Sequence, residues 1–313
     1  MTEGDHSIQF YSVDQVNNQE DIKEFSFYVD KTPPTIVEEL LGNTFIANGK
    51  EYFSGRNKLK LISLDNKAGV KEIRYSINNS EYKSYENPFY LSKSGDLKIQ
   101  TIAIDNVNNK KQTQKLSDRS NVSYVDLSGP KLGHHFEGPQ FVSKDTFFIS
   151  GETKIKLAGS DNESGFKKID YKINEQEKTK EYTEPFSLKK EGLYTINYTG
   201  YDNLGNTNTK QLLCIVDNNG PEIFHRFSMI SEKQKTLNDK KLDVYPEHVV
   251  LFLSATDSYV GFEKMYYRVN DGKNQIYHGL IEDFKPNTEY SLTVSAYDKL
   301  GNKEKAKIEF FID

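Results

Sequence analysis

One phrase recurs four times along this chain: a strand-like stretch, then Asp-x-x-(Gly/Asn)-Asn, then a second strand-like stretch. The copies are Asp14–Asn18, Asp105–Asn109, Asp202–Asn206 and Asp298–Asn302, and successive copies lie 91, 97 and 96 residues apart. Self-similarity at a fixed period is the signature of an array, so the 313 residues read as repeats of one module. Proline or glycine follows the end of each copy, at Asp30-Lys31-Thr32-Pro33-Pro34, Asp126-Leu127-Ser128-Gly129-Pro130 and Asp217-Asn218-Asn219-Gly220-Pro221. Such residues stop a strand ladder and stiffen a short joint. The expected division is 1–30, the last two strands of an incomplete copy, then modules at 31–126, 127–217 and 218–313.

Within each module apolar and polar residues alternate. Leu59-x-Leu61-x-Ser63 is matched by Ile155-x-Leu157-x-Gly159 and by Leu251-x-Leu253-x-Ala255. Ile73-x-Tyr75-x-Ile77 recurs as Ile169-x-Tyr171-x-Ile173 and Met265-x-Tyr267-x-Val269. Alternation of this length marks half-buried antiparallel strands, and turn residues lie densely between them. A hydrophobic fraction of 35% suits thin two-layer domains with one wet face per strand better than one large globule. About seven short strands in each module is the count of an immunoglobulin-like sandwich. The expected fold class is therefore all-β: tandem sandwiches in an elongated array.

A longer pattern, Asp-x-x-x-Gly-(Val/Phe)-x-x-(Ile/Met)-x-Tyr-x-(Ile/Val)-Asn, occurs at 65–78, 161–174 and 257–270. Tyr85-Glu86-Asn87-Pro88-Phe89 and Tyr182-Thr183-Glu184-Pro185-Phe186 follow it, and then the repeated hairpin phrase. Together these resemble the Ig-like repeats of bacterial surface and secreted proteins, including those named after leptospiral outer-membrane proteins. The resemblance implies non-catalytic spacer or adhesion modules, outside the cell or on its surface. It also leaves room for a glycan- or protein-binding module, or an accessory region of a surface enzyme whose catalytic domain lies elsewhere. The last module departs from the pattern. Its Phe284-Lys285-Pro286-Asn287-Thr288-Glu289-Tyr290 is similar to a fibronectin type III strand start, in which the tyrosine bonds upstream backbone; Tyr290 and Tyr194 are expected to do so. Extra residues around Ser117–Asn121 and in Ser231–Leu242 mark loops where single modules can acquire binding roles.

Composition narrows the function classes. A net charge of −5, with basic and acidic residues interspersed, argues against nucleic acid or an anionic membrane as the main partner. No apolar run approaches the roughly 18 residues of a membrane span. The single cysteine, Cys214, forbids an internal disulfide and sits in the apolar run Leu212–Val216, which reads as a packed hydrophobe. Met1–His6 is polar and lacks the pattern of a leader. Because residues 1–30 match only the end of a repeat, a longer parent protein is expected.

Candidate chemistry centres on aspartate. Asp65 and Asp105 continue the inward rows of strands B and F of the first sandwich, as do Asp161 with Asp202 and Asp257 with Asp298. These strands face each other, so both carboxylates emerge at the end where the linker brings Asp30, Asp126 or Asp217. Three carboxylates at a junction are similar to the calcium-holding arrangement of cadherin-like arrays, and calcium is the one cofactor the chain suggests. The alternative is that each aspartate accepts N–H bonds from its own turn, and the lack of a dense Asp-x-Asp-x-Asp run favours it. Gly205 and Gly301 replace Asn17 and Asn108, which points to a turn position of positive φ.

Tyr201, Tyr266 and Tyr297 fall on outward parity and are the candidate binding residues. Cross-strand pairing is the simpler use for them, and the lack of tryptophan weakens a sugar-stacking role. His134 and His135 are expected as a surface-loop pair, since neighbours on a strand point apart and make poor ligands for one metal. Without a Gly-x-Ser-x-Gly, His-Glu-x-x-His or Cys–His arrangement, the chain does not read as an enzyme.

Overall fold

A computed structural model describes residues 1–113, 122–175, 178–231 and 233–313. The expected insertion at Ser117–Asn121 lies outside the described residues. All named elements are strands. The chain divides into two compact units: Met1–Lys131 with Ser160–Lys167 and Gly200–Asn208, and Leu132–Gly159 with Lys168–Thr199 and Thr209–Asp313.

The first unit opens on an antiparallel hairpin, Gly4–Phe10 against Lys23–Val29, in register from Gly4↔Val29 to Phe10↔Lys23. Two strands alone bury little, and Ile8, Phe10 and Phe25 remain exposed. A sandwich follows. Thr35–Leu41, Lys58–Leu64 and Phe89–Tyr90 form one sheet; Val70–Ile77, Ile99–Asp105 and their neighbours form the sheet around Tyr75. Alternation gives the core: Leu59, Leu61, Leu97 and Ile99 close over Phe53, and Tyr75 stacks on Phe89 with ring centroids 4.5 Å apart.

The second unit holds two further cores. One surrounds Ile155, Ile169, Ile196, Tyr198 and Cys214; the other surrounds Leu251, Met265, Leu292, Val294 and Phe310. Each has a six-stranded sheet; in the last it runs Lys233–Leu237, Lys240–Tyr245, Lys303–Ile312, Thr288–Asp298, Phe262–Val269 and Gln275–Ile276. Its opening hairpin pairs antiparallel, then its second arm runs parallel to the final strand, Asp243↔Phe310 to Tyr245↔Ile312. Lys50–Ser54 pairs in the same parallel sense with Val122–Asp126, and Thr146–Ile149 with Thr207–Val216. These are tandem all-β immunoglobulin-like sandwiches. Residues 233–242 of the extra stretch lie in the last of these hairpins, turned at Asn238 and Asp239 with φ of 48° and 64°.

The sequence patterns acquire specific work. Asn78, Asn174 and Asn270 take φ near 50°, and their side-chain oxygens accept the N–H groups of Lys98, just before the next long strand, and of Thr195 and Ser291 on theirs. Tyr290 Oη accepts the Lys285 N–H at 2.7 Å, and Tyr194 Oη donates to the Lys190 carbonyl at 2.8 Å, as expected from the corner motif. Cys214 is fully buried in the core and burial pushes its thiol up to about 12, in keeping with a packed hydrophobe.

One expectation is corrected. His134 and His135 lie on the strand Lys131–Glu137, not on a surface loop. They do point apart: His135 is exposed, while His134 is half-buried with Nδ1 3.2 Å from Tyr198 Oη and with Phe136 and Phe147 beside its ring. The buried Tyr198 phenol needs a polar partner, and the imidazole supplies it. Burial and Lys210 hold the His134 ring below the usual imidazole range.

Candidate functional site

The repeated phrase folds identically in all four copies. Asp105 Oδ1 accepts the Val107 and Asn109 N–H groups at 3.0 and 2.8 Å, and Asn109 Nδ2 donates to Asp105 Oδ2 at 2.8 Å. Asp202 holds Leu204, Asn206 and the Asn206 amide in the same way, Asp298 holds Leu300 and Asn302, and Asp14 holds Val16 and Asn18. The fourth residue has positive φ throughout: Asn17 67°, Asn108 69°, Gly205 81° and Gly301 87°. Turn-bonding by these aspartates is thus present.

The terminal asparagine does more than close its turn. Its second Nδ2 hydrogen reaches the incoming linker: Asn109 donates to the Asp30 carbonyl at 3.0 Å, Asn206 to Asp126 at 3.1 Å and Asn302 to Asp217 at 3.0 Å. A third segment joins from the loop after the B-type strand. Asp65 Oδ1 accepts from Lys67 and Gly69, Asp161 Oδ1 from Glu163 and Gly165, and Asp257 Oδ1 from Tyr259, Val260 and Gly261. The glycine in that loop has φ of 75°, 90° and 82° in turn, a left-handed position that the motif's fixed glycine serves.

The linker aspartate knots these segments together. Asp30 Oδ1 accepts its own Thr32 N–H and its Oδ2 accepts Ala68 N–H across 38 residues, both at 3.0 Å. Asp126 repeats this with Ser128 and Ser164, also at 3.0 Å. The nine aspartates come together in threes: within each of the trios Asp30/Asp65/Asp105, Asp126/Asp161/Asp202 and Asp217/Asp257/Asp298, one oxygen per residue lies within 4.8 Å of the others.

The third trio bonds differently. Asp217 Oδ1 accepts the Asn219 N–H at 3.2 Å, but Oδ2 is buried without a hydrogen-bond partner among the described residues. The cause is local. In the earlier copies Asn106 and Asn203 donate their side-chain amides to the loop carbonyls of Ala68 and Ser164, fixing the loop so that its N–H meets the linker. Lys299 occupies that position in the last copy and has no such fork. Val260 N–H then turns to Asp257. Burial, reinforced by Asp257, Asp298 and Glu191, pushes the Asp217 carboxyl up to about 6 against the single Asn219 bond. Burial also raises Asp298, although Asn302 and Leu300 donate to it. At the second trio burial works to raise Asp126, but hydrogen bonds from Glu163, Ser164 and Ser128 outweigh it and hold its carboxyl below the usual range. Glu163 is raised in turn, chiefly through that hydrogen bond with Asp126 and then through burial, while Tyr124 Oη and Ser128 Oγ donate to it.

Two features were not visible in the sequence reading. Arg56 donates from Nη2 to the Leu204 carbonyl at 2.7 Å and from Nη1 to Asn206 Oδ1 at 3.3 Å, so it braces the hairpin from the preceding sandwich. The only hint was its place in Ser54-Gly55-Arg56-Asn57, where the next module has Glu152. The linker glycines were read as joint chemistry. A Cβ on Gly129 would collide with the Thr207 backbone, and one on Gly220 with the Lys303–Glu304 backbone, so close approach to the final strand is their structural reason.

The candidate tyrosines have neighbours. Tyr266 and Tyr297 meet edge to face at 5.9 Å, and Lys264 and Lys303 lie over the Tyr297 ring at 5.9 and 5.1 Å. Tyr201 is half-buried near the end of Gly192–Asp202. The Tyr266–Tyr297 contact is the cross-strand use.

No protein-family model and no curated protein sequence matches the chain. Its fold is similar to several arrays of known structure. The tetra-tandem repeat from the extending region of a large adhesion protein is 13% identical, with all of this chain and 82% of that one covered and a TM-score of 0.37. Part of a 1.5-MDa bacterial ice-binding adhesin is 12% identical, covering 91% and 99%, with a TM-score of 0.32. The fibronectin(III)-like modules of Clostridium thermocellum CbhA are 10% identical, covering 58% and 94%, with a TM-score of 0.29.

Proposed function

We propose that this chain is a non-catalytic stretch of modules at 31–126, 127–217 and 218–313, following the last strands of another at 1–30. Its work is mechanical: it carries load or spacing between other parts of a surface-exposed or secreted protein. The observation that carries this reading is the junction knot. At three successive linkers an asparagine side chain from one hairpin holds the backbone of the segment leading into its own module. A bond placed there resists the linker peeling from the sandwich, which is the demand on a load-bearing joint. A binding or catalytic module makes no such demand at every junction. Cys214, buried with a raised thiol, offers no nucleophile.

Pulling the chain by its ends in a force spectrometer tests the reading. Three separate unfolding events are expected, each releasing about 30 nm, since roughly 95 residues extend to about 3.3–3.6 Å apiece less the folded length. A single event releasing the whole chain, or extension without force peaks, would contradict both the module division and the mechanical role.

A further inference from the structure

Among the three trios only Asp217/Asp257/Asp298 leaves a fully buried linker carboxylate oxygen without a donor. Asp217 is 1% exposed, and its Oδ2 has no partner. Burying half a carboxylate unpaired is costly, and the cost is relieved by a counter-charge or a proton. Among the described residues no basic side chain fills that place. Asp257, Asp298 and Glu191 surround it with like charge, and the hairpin's own Lys299 lays its ammonium over the Phe141 ring, 4.9 Å from the centroid.

The donor geometry fits a cation. Oxygens on opposite sides of one calcium ion at 2.3–2.6 Å are separated by about 4.6–5.2 Å, and the three carboxylates supply oxygens within 4.8 Å of one another. Oδ1 of each residue is already held by backbone N–H groups from Asn219, from Tyr259 to Gly261, and from Leu300 and Asn302. That outer layer fixes the orientation of the carboxylates, as second-layer bonds do around metal ligands. Asp257 is only half-buried, which leaves a route for the ion and for the waters that complete its shell.

We infer that Asp217, Asp257 and Asp298 form a calcium site at the last junction, and that the two earlier junctions are closed by hydrogen bonds instead. Nitrogen and sulfur ligands are missing from this trio, so the site suits a hard cation. Asp30 and Asp126 have both oxygens committed to backbone N–H groups, which sets their trios apart. The inference is independent of the mechanical reading, because the carboxylates and the orphaned oxygen stand whatever load the chain bears.

Isothermal titration of the chelator-treated 313-residue chain with calcium chloride tests it. One ion per chain is expected, with an affinity of about 10⁻⁴–10⁻³ M, the range of extracellular calcium modules. Asp217→Asn and Asp257→Asn are expected to lose the ion, while Asp161→Asn keeps it. Magnesium chloride is expected to give no comparable binding. In chelator, Asp217→Asn should melt no lower than the parent chain, which separates lost binding from lost folding. Three ions per chain, no binding at millimolar calcium, equal binding of magnesium, or binding that survives in a folded Asp217→Asn chain would each overturn the assignment.

Discussion

Replacing Asp202 with alanine is expected to destabilise its sandwich by about 3–5 kcal/mol, the cost of breaking a buried hydrogen-bonded charge network. Asp202 is fully buried, and three donors converge on it: the Leu204 and Asn206 N–H groups and the Asn206 amide. Alanine leaves all three in a site that water enters poorly. The loss then spreads. Asn206 loses the bond that aims its amide at the Asp126 carbonyl and its oxygen at Arg56. Asp14 makes the same set of bonds at an exposed turn, so Asp14→Ala is expected to cost far less, because water replaces the lost partner. Urea unfolding of the full chain and both variants, followed transition by transition, measures the contrast. Equal effects would show that burial does not set the strength of these turns.

Phe310→Ala is expected to cost a similar amount, about 3–5 kcal/mol, by a different route: lost transfer energy plus the cavity left behind. Phe310 is 1% exposed and stands at the centre of an aromatic group. Tyr290 stacks on it at 5.4 Å, Phe227 and Phe284 meet it edge-on at 5.0 and 5.2 Å, and Tyr245 lies at 6.2 Å. Rings of this size, fixed on separate strands, cannot collapse into the gap. Phe310→Leu keeps part of the volume and should recover a large share of the loss. Thermal melting is the readout: the last sandwich should melt first in the alanine variant, with the first core unchanged. A small shift would mean that the site relaxes and that the aromatic group is not the keystone of this core.

Alternation and turn chemistry made the sandwiches legible because both are local. The parity of Leu59, Leu61 and Ser63 leads to Asp65, and that of Ile99, Thr101 and Ala103 leads to Asp105; the two carboxylates do meet beside Asp30. Parity gives a face and an end, however, not a donor. It therefore could not choose between turn-bonding and calcium for the nine aspartates. The deciding partners lie far away in sequence: Ala68 N–H is 38 residues from Asp30, and Asn206 is 80 from Asp126. Lys299 shows how much can rest on one position. It stands where Asn106 and Asn203 anchor their loops, and that change coincides with the unpaired oxygen of Asp217. Arg56 and His134 were illegible for the same reason, since each is explained by a partner on a distant strand or turn.

The central claim is that each linker is tied to the module it leads into, by the asparagine of the repeated phrase throughout and, at Asp30 and Asp126, also by the linker's own carboxylate. Amide hydrogen exchange at Ser164 tests this most directly, because its N–H donates to Asp126 Oδ2 across the joint. The Ser164 amide is expected to exchange slowly in the parent chain and much faster in Asp126→Ala, while core amides such as Leu157 keep their protection. Fast exchange at Ser164 in the parent chain, or slow exchange that Asp126→Ala leaves unchanged, would contradict it.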